Sequence, residues 1–266
     1  MCRFLAYSGP PTLMQELLLD SAYSLVRQSR HARMRFEPVN GDGFGVGWYP
    51  QHDDPEPGTF VSIEPAWSNR NLREIAAKIL TPHFFAHVRD ATPGMPVSQA
   101  NCHPFKHGPW LWMHNGFLGE FHKTRRYLLE ALSDEAFESI QGNTDSEHAF
   151  ALFLDAVGRH HETDADKILA ALNRTLAIIH DIRTRAGCRT EAPMNFAVSN
   201  GTTALFTRYS ELEDHPPPTL HYAESAESII VASEPLSDSD AWQEVGINKV
   251  LIVEKGKAIV SADLDP

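Results

Sequence analysis

The residues with the clearest capacity for chemistry stand at the start of the chain, Met1-Cys2-Arg3-Phe4-Leu5-Ala6-Tyr7. The side chain of Cys2 is small enough for methionine aminopeptidase to expose it. With Met1 removed, one residue would carry both a thiol and a free α-amine. Unperturbed, these groups titrate at roughly 8.5 and about 7.7–8.0. An amine that titrates near neutrality and is fixed beside a thiol can serve as its general base. With Met1 attached the nitrogen is an amide and has no such role. The apolar run behind Cys2 reads as a buried strand that would hold the terminus in place. The bland reading of the same seven residues is a frayed end with an incidental cysteine.

Further polar residues sit at the ends of recognisable elements. His83-Phe84-Phe85-Ala86-His87-Val88-Arg89 alternates like a strand and delivers Arg89 to a turn, Asp90-Ala91-Thr92-Pro93-Gly94. Trp110-Leu111-Trp112-Met113 is another strand, which the pattern ends at His114-Asn115-Gly116. Asn-Gly after a strand is first of all a turn signal, although its amides could also face a developing oxyanion. Asn143-Thr144-Asp145-Ser146-Glu147-His148 opens a helix for which Thr144 or Asp145 is a good N-cap. Asn40-Gly41-Asp42-Gly43-Phe44-Gly45-Val46-Gly47 runs into a strand; no Gly-Lys-Ser/Thr follows, so it is a tight turn and not a phosphate loop.

The elements that must position these residues follow from the hydrophobic pattern. A helix is expected to start near Thr12, with others over 71–80 and 123–132, one opened by residues 143–148 with Phe150, Phe153, Leu154 and Val157 as its apolar face, and one over 166–185. The stripe Ile168, Leu172, Leu176 and Ile179 is core spacing. From Met194 onward the chain turns to strands, at 195–198, 203–208, 220–223, 228–232, 249–254 and 258–261. Strands, then long helices, then strands again predict layered sheets with helices outside, an α+β arrangement. No repeat or composition break marks a boundary, so residues 1–266 are expected to form a single domain.

Composition narrows the function classes. A net charge of −12 without a basic tract argues against nucleic acid or an anionic membrane as partner. No apolar run approaches the roughly 20 residues of a membrane span, and no signal segment precedes the first strand, which predicts a cytoplasmic protein. Cys2, Cys102 and Cys188 are too scattered for a disulfide framework, and the 14 histidines fall in no metal-ligand spacing, so no metal and no cofactor are expected. Cys102 lacks the Cys-Gly-x-Cys-Trp surroundings of a papain-like nucleophile.

Five stretches, taken in order, resemble the class II glutamine amidotransferases, whose glutaminase domain is an N-terminal nucleophile hydrolase. They are Met1-Cys2-Arg3, Asn40-Gly41-Asp42-Gly43, His87-Val88-Arg89-Asp90-Ala91-Thr92, His114-Asn115-Gly116 and Thr144-Asp145-Ser146-Glu147. Ala232-Ser233-Glu234-Pro235-Leu236 before a last hairpin is also similar. The chain most resembles stand-alone members, among them the γ-glutamyl hydrolase of ergothioneine biosynthesis, and no acceptor domain is expected after residue 266. The resemblance implies a four-layer αββα sandwich of two antiparallel sheets with Cys2 between them.

Carried over by position, the resemblance makes Cys2 the nucleophile and its freed amine the base. It makes Asn115 and the amide of Gly116 the oxyanion hole. Arg89 would hold the substrate α-carboxylate, Asp145 the α-ammonium, and Thr92 would add a hydrogen bond near the carboxylate. The implied reaction cleaves the side-chain amide of glutamine through a thioester, giving glutamate and ammonia, with a separate synthase subunit as the ammonia acceptor. Two alternatives stay open: hydrolysis of a larger γ-glutamyl compound, and a silent glutamine-binding protein. Asp90 and Pro93 stand where synthase-fused members have Trp and His, which alters the pocket wall and keeps a larger γ-glutamyl substrate open beside glutamine.

Overall fold

Alternation along the strands divides their side chains between distinct cores. On β1 (Arg3–Leu13), Phe4 and Ala6 face one way while Leu5 and Tyr7 face the other. On β6 (Trp110–Gly116), Leu111 and Met113 join the core that holds Phe4, whereas Trp110 and Trp112 lie on the opposite side. Successive residues of a strand point to opposite faces, so each of these strands has two buried faces. The protein is described here from a computed structural model, over residues 1–34, 39–51, 54–91, 94–158, 164–212, 214–254 and 260–266.

The first sheet contains β1, β2 (Phe44–Tyr49), β3 (Gly58–Ser62), β4 (Leu80–Val88), β9 (His221–Glu224), β10 (Ile229–Ala232) and β11 (Trp242–Glu244). Its order is β11-β9-β10-β1-β4-β2-β3. The second contains β5 (Phe105–His107), β6, β7 (Met194–Ser199), β8 (Thr203–Arg208), β12 (Lys249–Glu254) and β13 (Val260–Asp263), in the order β13-β12-β8-β7-β6-β5. All of the described pairings are antiparallel.

The inner core between the sheets includes Phe4, Phe85, Leu111, Met113, Phe206 and Leu251. Outside the second sheet lie α3 (Phe121–Glu130), α5 (Asp145–Val157) and α6 (Ala165–Arg185), whose apolar faces pack on Trp110, Trp112 and Phe196. Trp112 sits 5.6 Å from the Phe150 ring and 4.5 Å from Phe196. Buried aromatic pairs add about 0.5–1.5 kcal/mol beyond area burial, so this contact is a strong clamp of helix on sheet. The outer face of the first sheet is covered by α1 (Leu25–Gln28) and α2 (Arg70–Ala76), through Leu25, Val26, Leu72 and Ala76. The result is the expected α+β sandwich with layers in the order αββα. A short helix, α4 (Asp134–Glu138), lies before α5.

Several local expectations are corrected. The chain does not turn helical at Thr12: β1 runs through Pro10-Pro11 to Leu13, and the helical backbone that starts at Met14 passes into a five-residue π-helix, Glu16–Asp20. Thr12 Oγ1 donates to Glu16 Oε2 at 3.0 Å and caps no helix. Leu80, expected to end a helix, instead starts β4. Thr144 is the N-cap of α5, accepting from Glu147 N at 3.2 Å, which leaves Asp145 in the first helical turn. The strand expected at 258–261 begins at Val260, and residues 258–259 lie outside those described. No described helix is long and apolar enough to cross a membrane.

Candidate active site

Cys2 immediately precedes β1, and the register of that strand decides what it faces. Arg3 pairs with Val88, so the next step back along the antiparallel ladder sets Cys2 against Arg89. The thiol is bracketed by Asp90, whose N donates to Cys2 Sγ at 3.5 Å while Sγ faces Asp90 O at 3.7 Å. Cys2 is 8% exposed, and burial pushes its thiol above the ordinary range. The Asp90 N–H, the terminal ammonium and Arg89 act in the opposite direction.

In the structure Met1 precedes Cys2, and its ammonium pairs with the Asp90 carboxylate. Asn40 Nδ2 donates to Met1 O at 2.9 Å. Arg3 Nη1 donates to Cys2 O at 3.0 Å, and Arg3 Nε pairs with Glu234 Oε1 at 2.9 Å. Three separate stretches therefore hold the backbone around Cys2.

Arg89 follows the last residue of β4 and is fastened to the glycine-rich turn. Its N donates to Gly43 O at 2.8 Å, and its O accepts from Asp42 N at 3.1 Å. Gly43 adopts φ of 113°, a left-handed conformation that glycine takes without strain. Arg89 is 4% exposed, and among the described residues its guanidinium meets carbonyls: Nη1 donates to Asp42 O and Nη2 to Pro96 O, each at 3.4 Å. Among the described residues no carboxylate pairs with it.

Asn115 and Gly116 belong to the second sheet and do not form a turn. β6 continues through both, with Asn115 opposite Asn195 and Gly116 opposite Met194. A side chain at Gly116 would overlap the Pro193 carbonyl. Asn115 is fully buried, and its Nδ2 donates to Ser233 Oγ at 3.3 Å. Ser233 Oγ also accepts from Phe4 N at 3.0 Å, so one hydroxyl bridges the two sheets two residues beyond Cys2.

Asp145 is reached from the same strand. His114 Nε2 donates to Pro193 O at 3.1 Å, leaving Nδ1 to accept from Ser146 Oγ at 2.9 Å. Burial holds His114 below its ordinary pKa, consistent with that neutral tautomer. Asp145 Oδ1 accepts from Ser146 N at 2.8 Å, and its Oδ2 accepts from Leu118 N at 2.6 Å. The carboxylate lines an open cleft of about 970 Å³ together with Gly94, Met95, Phe117 and Asn143. Cys2, Arg89 and Asn115 do not line this cleft. Arg89 is linked to it through Pro96 O, which also accepts from Asn101 Nδ2, itself 2.9 Å from Asn143 Oδ1.

The expected residues thus fall into three linked groups: Cys2 with Arg89, Asn115 and Gly116 across from them, and Asp145 on the cleft. Thr92 and Pro93 lie outside the described residues. Sequence alone assigns Asn40, Ser233 and Glu234 no individual role, although each belongs to a stretch that carries the resemblance. Among the described residues no group of three or more His, Cys, Asp or Glu is arranged to hold a metal ion.

Comparison with known proteins bears on this arrangement. A family model described as "Glutamine amidotransferases class-II" matches residues 12–218. "Probable glutamine amidotransferase DUG3" of Saccharomyces cerevisiae is 35% identical over 305 residues, an alignment covering 100% of this chain and 85% of that protein. The gamma-glutamyl-hercynylcysteine sulfoxide hydrolase of Mycobacterium tuberculosis is 26% identical over 266 residues, covering 99% of this chain and 97% of that protein. Among solved structures, a glutamine aminotransferase class-II domain protein from Silicibacter pomeroyi superposes with a TM-score of 0.73 at 28% identity, covering 100% of both chains. Glutamine phosphoribosylpyrophosphate amidotransferase from B. subtilis, 16% identical with a TM-score of 0.65, shares the fold over 99% of this chain and 49% of its own.

Proposed function

Since the chain belongs to the class II glutamine amidotransferases, with their N-terminal nucleophile hydrolase fold, we propose that it cleaves a γ-glutamyl amide with Cys2 as nucleophile. Removal of Met1 frees the Cys2 amine, which takes the thiol proton, directly or through water. The thiolate attacks the amide carbon, and the developing oxyanion is met by the Asn115 carboxamide and the Gly116 N–H. The amine leaves with a proton returned by the Cys2 ammonium, and water hydrolyses the thioester to release the glutamyl carboxylate.

The rest of the site recognises an amino acid. Such a substrate carries one anion and one cation on its α-carbon. Arg89 takes the carboxylate through a paired, charge-assisted contact that lysine does not reproduce. Asp145 takes the ammonium, and Thr92 adds a hydrogen bond beside the carboxylate. The observation that carries this reading is Arg89, a buried arginine next to the nucleophile whose guanidinium, among the described residues, meets carbonyls at 3.4 Å and no carboxylate. A buried cation without an anion is costly, and a substrate carboxylate relieves that cost.

Two leaving groups remain distinct. Ammonia passed to a separate synthase subunit is the amidotransferase form. Hydrolysis of a larger γ-glutamyl metabolite is favoured by Asp90, whose backbone N–H reaches the thiol and whose carboxylate binds the ammonium of Met1. A polar wall of this kind suits a leaving group larger than ammonia.

The test is intact-protein mass before and after exposure to a glutamine-shaped diazoketone, with peptide mapping of the product. Loss of Met1 and a single adduct on Cys2, absent in Cys2→Ala, is the expected result. A processed chain that takes no adduct and releases no glutamate from any γ-glutamyl amide would leave the silent glutamine-binding reading in its place.

A further inference from the structure

The fully buried Asn115 carboxamide is only half satisfied: Nδ2 donates to Ser233 Oγ at 3.3 Å, while Oδ1 has no partner among the described residues. Ser233 is equally buried and is fixed on three sides. Its Oγ accepts from Phe4 N at 3.0 Å, its N donates to Phe4 O at 3.0 Å, and its carbonyl accepts from Thr219 Oγ1 at 2.8 Å. In this arrangement the Ser233 oxygen accepts twice, and its own proton meets no acceptor among the described residues. A hydroxyl offers one proton and two lone pairs, and a carboxamide offers an acceptor oxygen and two N–H donors. A half-turn of the carboxamide therefore meets both deficits at once. The Ser233 hydroxyl then donates to Oδ1, and Nδ2 takes the place where the unpartnered oxygen stood.

We infer that Ser233 is a positioning residue: it donates to Asn115 Oδ1 and so turns Nδ2 toward the acyl oxygen of a substrate held at Cys2. This rests on the amidohydrolase reading above. An oxyanion requires a donor, and a carboxamide free to turn presents its oxygen as readily as its nitrogen. Ser233 removes that freedom. The same hydroxyl, accepting from Phe4 N, ties the donor to the strand that carries the nucleophile, so it sets the orientation of one group and the spacing of both. The neighbouring Glu234, paired with Arg3, supports the Cys2 carbonyl from the other side.

The test is a double-mutant cycle on turnover of a γ-glutamyl amide. Ser233→Ala is expected to lower kcat by up to about 100-fold, the scale of misplacing a catalytic group by about an ångström, with KM nearly unchanged. In an Asn115→Ala background the same substitution should lower kcat no further, because the group it orients is gone. Ser233→Thr, which keeps the hydroxyl, should recover most of the loss. An unchanged kcat in Ser233→Ala, or an equal loss with and without the Asn115 carboxamide, overturns the inference. If Ser233→Ala does not fold, Ser233→Cys is carried through the same comparison.

Neutron diffraction from the deuterated protein reads the contact without turnover. A deuteron on Ser233 Oγ directed at Asn115 Oδ1 supports the inference, and Nδ2 deuterons directed at Oγ overturn it. A wild-type enzyme inactive on every γ-glutamyl amide would count against the amidohydrolase reading, while the neutron map would still decide the Ser233 contact.

Discussion

Arg3 and Glu234, 231 positions apart, form an ion pair at 2.9 Å in which both side chains are 2% exposed. The pair is hydrogen-bonded on both sides: Arg3 Nη1 reaches Cys2 O at 3.0 Å, and Glu234 Oε2 accepts from Arg33 N at 2.8 Å. The backbone of the proposed nucleophile is thus held by a residue near the other end of the chain.

Removing one partner of a buried pair leaves the other uncompensated, at a cost of about 3–5 kcal/mol. Glu234→Ala is therefore expected to lower the urea midpoint sharply, and Glu234→Gln, which keeps an acceptor for Arg3, to lower it less. Equal stability of Glu234→Ala and wild type would mean that the pair contributes nothing net.

Arg89 invites the opposite expectation. Its charge is buried with two long contacts to carbonyls among the described residues, so an apolar replacement of similar length removes a desolvated cation. Arg89→Met should unfold at a temperature no lower than wild type, yet lose substrate binding. Arg89→Lys should raise KM by roughly 10- to 100-fold, the loss of a charge-assisted bond. Steady-state kinetics and thermal melts on both variants decide it, and a KM left at the wild-type value would remove Arg89 from the pocket.

For Asp145, Asp145→Asn keeps an acceptor for Leu118 N and removes the charge. It should raise KM for an amino-acid substrate with little change in kcat. The stability loss should stay near the roughly 0.3–1 kcal/mol that an acidic residue contributes in the first turn of a helix. A fall in kcat at constant KM would instead tie Asp145 to the chemical step.

Burial also makes the interior sensitive to acid. His87 is held down at about 3, chiefly by burial and further by Arg89 and His114, against the hydrogen bond from Nε2 to His114 O. His103, whose ring centroid lies 4.2 Å from that of His87, is held well below its ordinary value for the same first reason. In the unfolded chain both would protonate near pH 6.5. As pH falls below about 6.5 the unfolded state takes up protons that the folded state does not, so stability is lost. The slope is up to about 1.4 kcal/mol per pH unit for each group. Above pH 6.5 neither contributes. His87→Gln keeps an N–H for the His114 carbonyl and cannot titrate, so its stability should fall less steeply between pH 6 and 4. Urea titrations across that range check it, and parallel slopes would exclude His87 as a source.

Much of this protein can be read from local pattern. The period-2 alternation of His83 to Arg89 and of Trp110 to Met113 yields strands with two buried faces, and the stripe from Ile168 to Ile179 yields α6. Cys2, Arg89, Asn115 and Asp145 stand out by residue type and order along the chain. These are properties of single segments, and the sequence states them directly.

Tertiary structure decided what local pattern cannot state. Asn115-Gly116 has the composition of a turn, yet pairing with Asn195 and Met194 keeps it extended, because ladder bonds outweigh a local preference. Pro10-Pro11 reads as a strand stop, yet β1 continues to Leu13. Ser233 and Glu234 look like any polar pair after a strand, and their roles follow only from β10 lying beside β1. Strand order is set by pairings between residues far apart in the chain, whose energies are not encoded in the composition of either segment alone. The sequence by itself therefore determined the candidate residues and most of the elements that bear them. Which residues meet was decided by burial of both faces of two sheets at once.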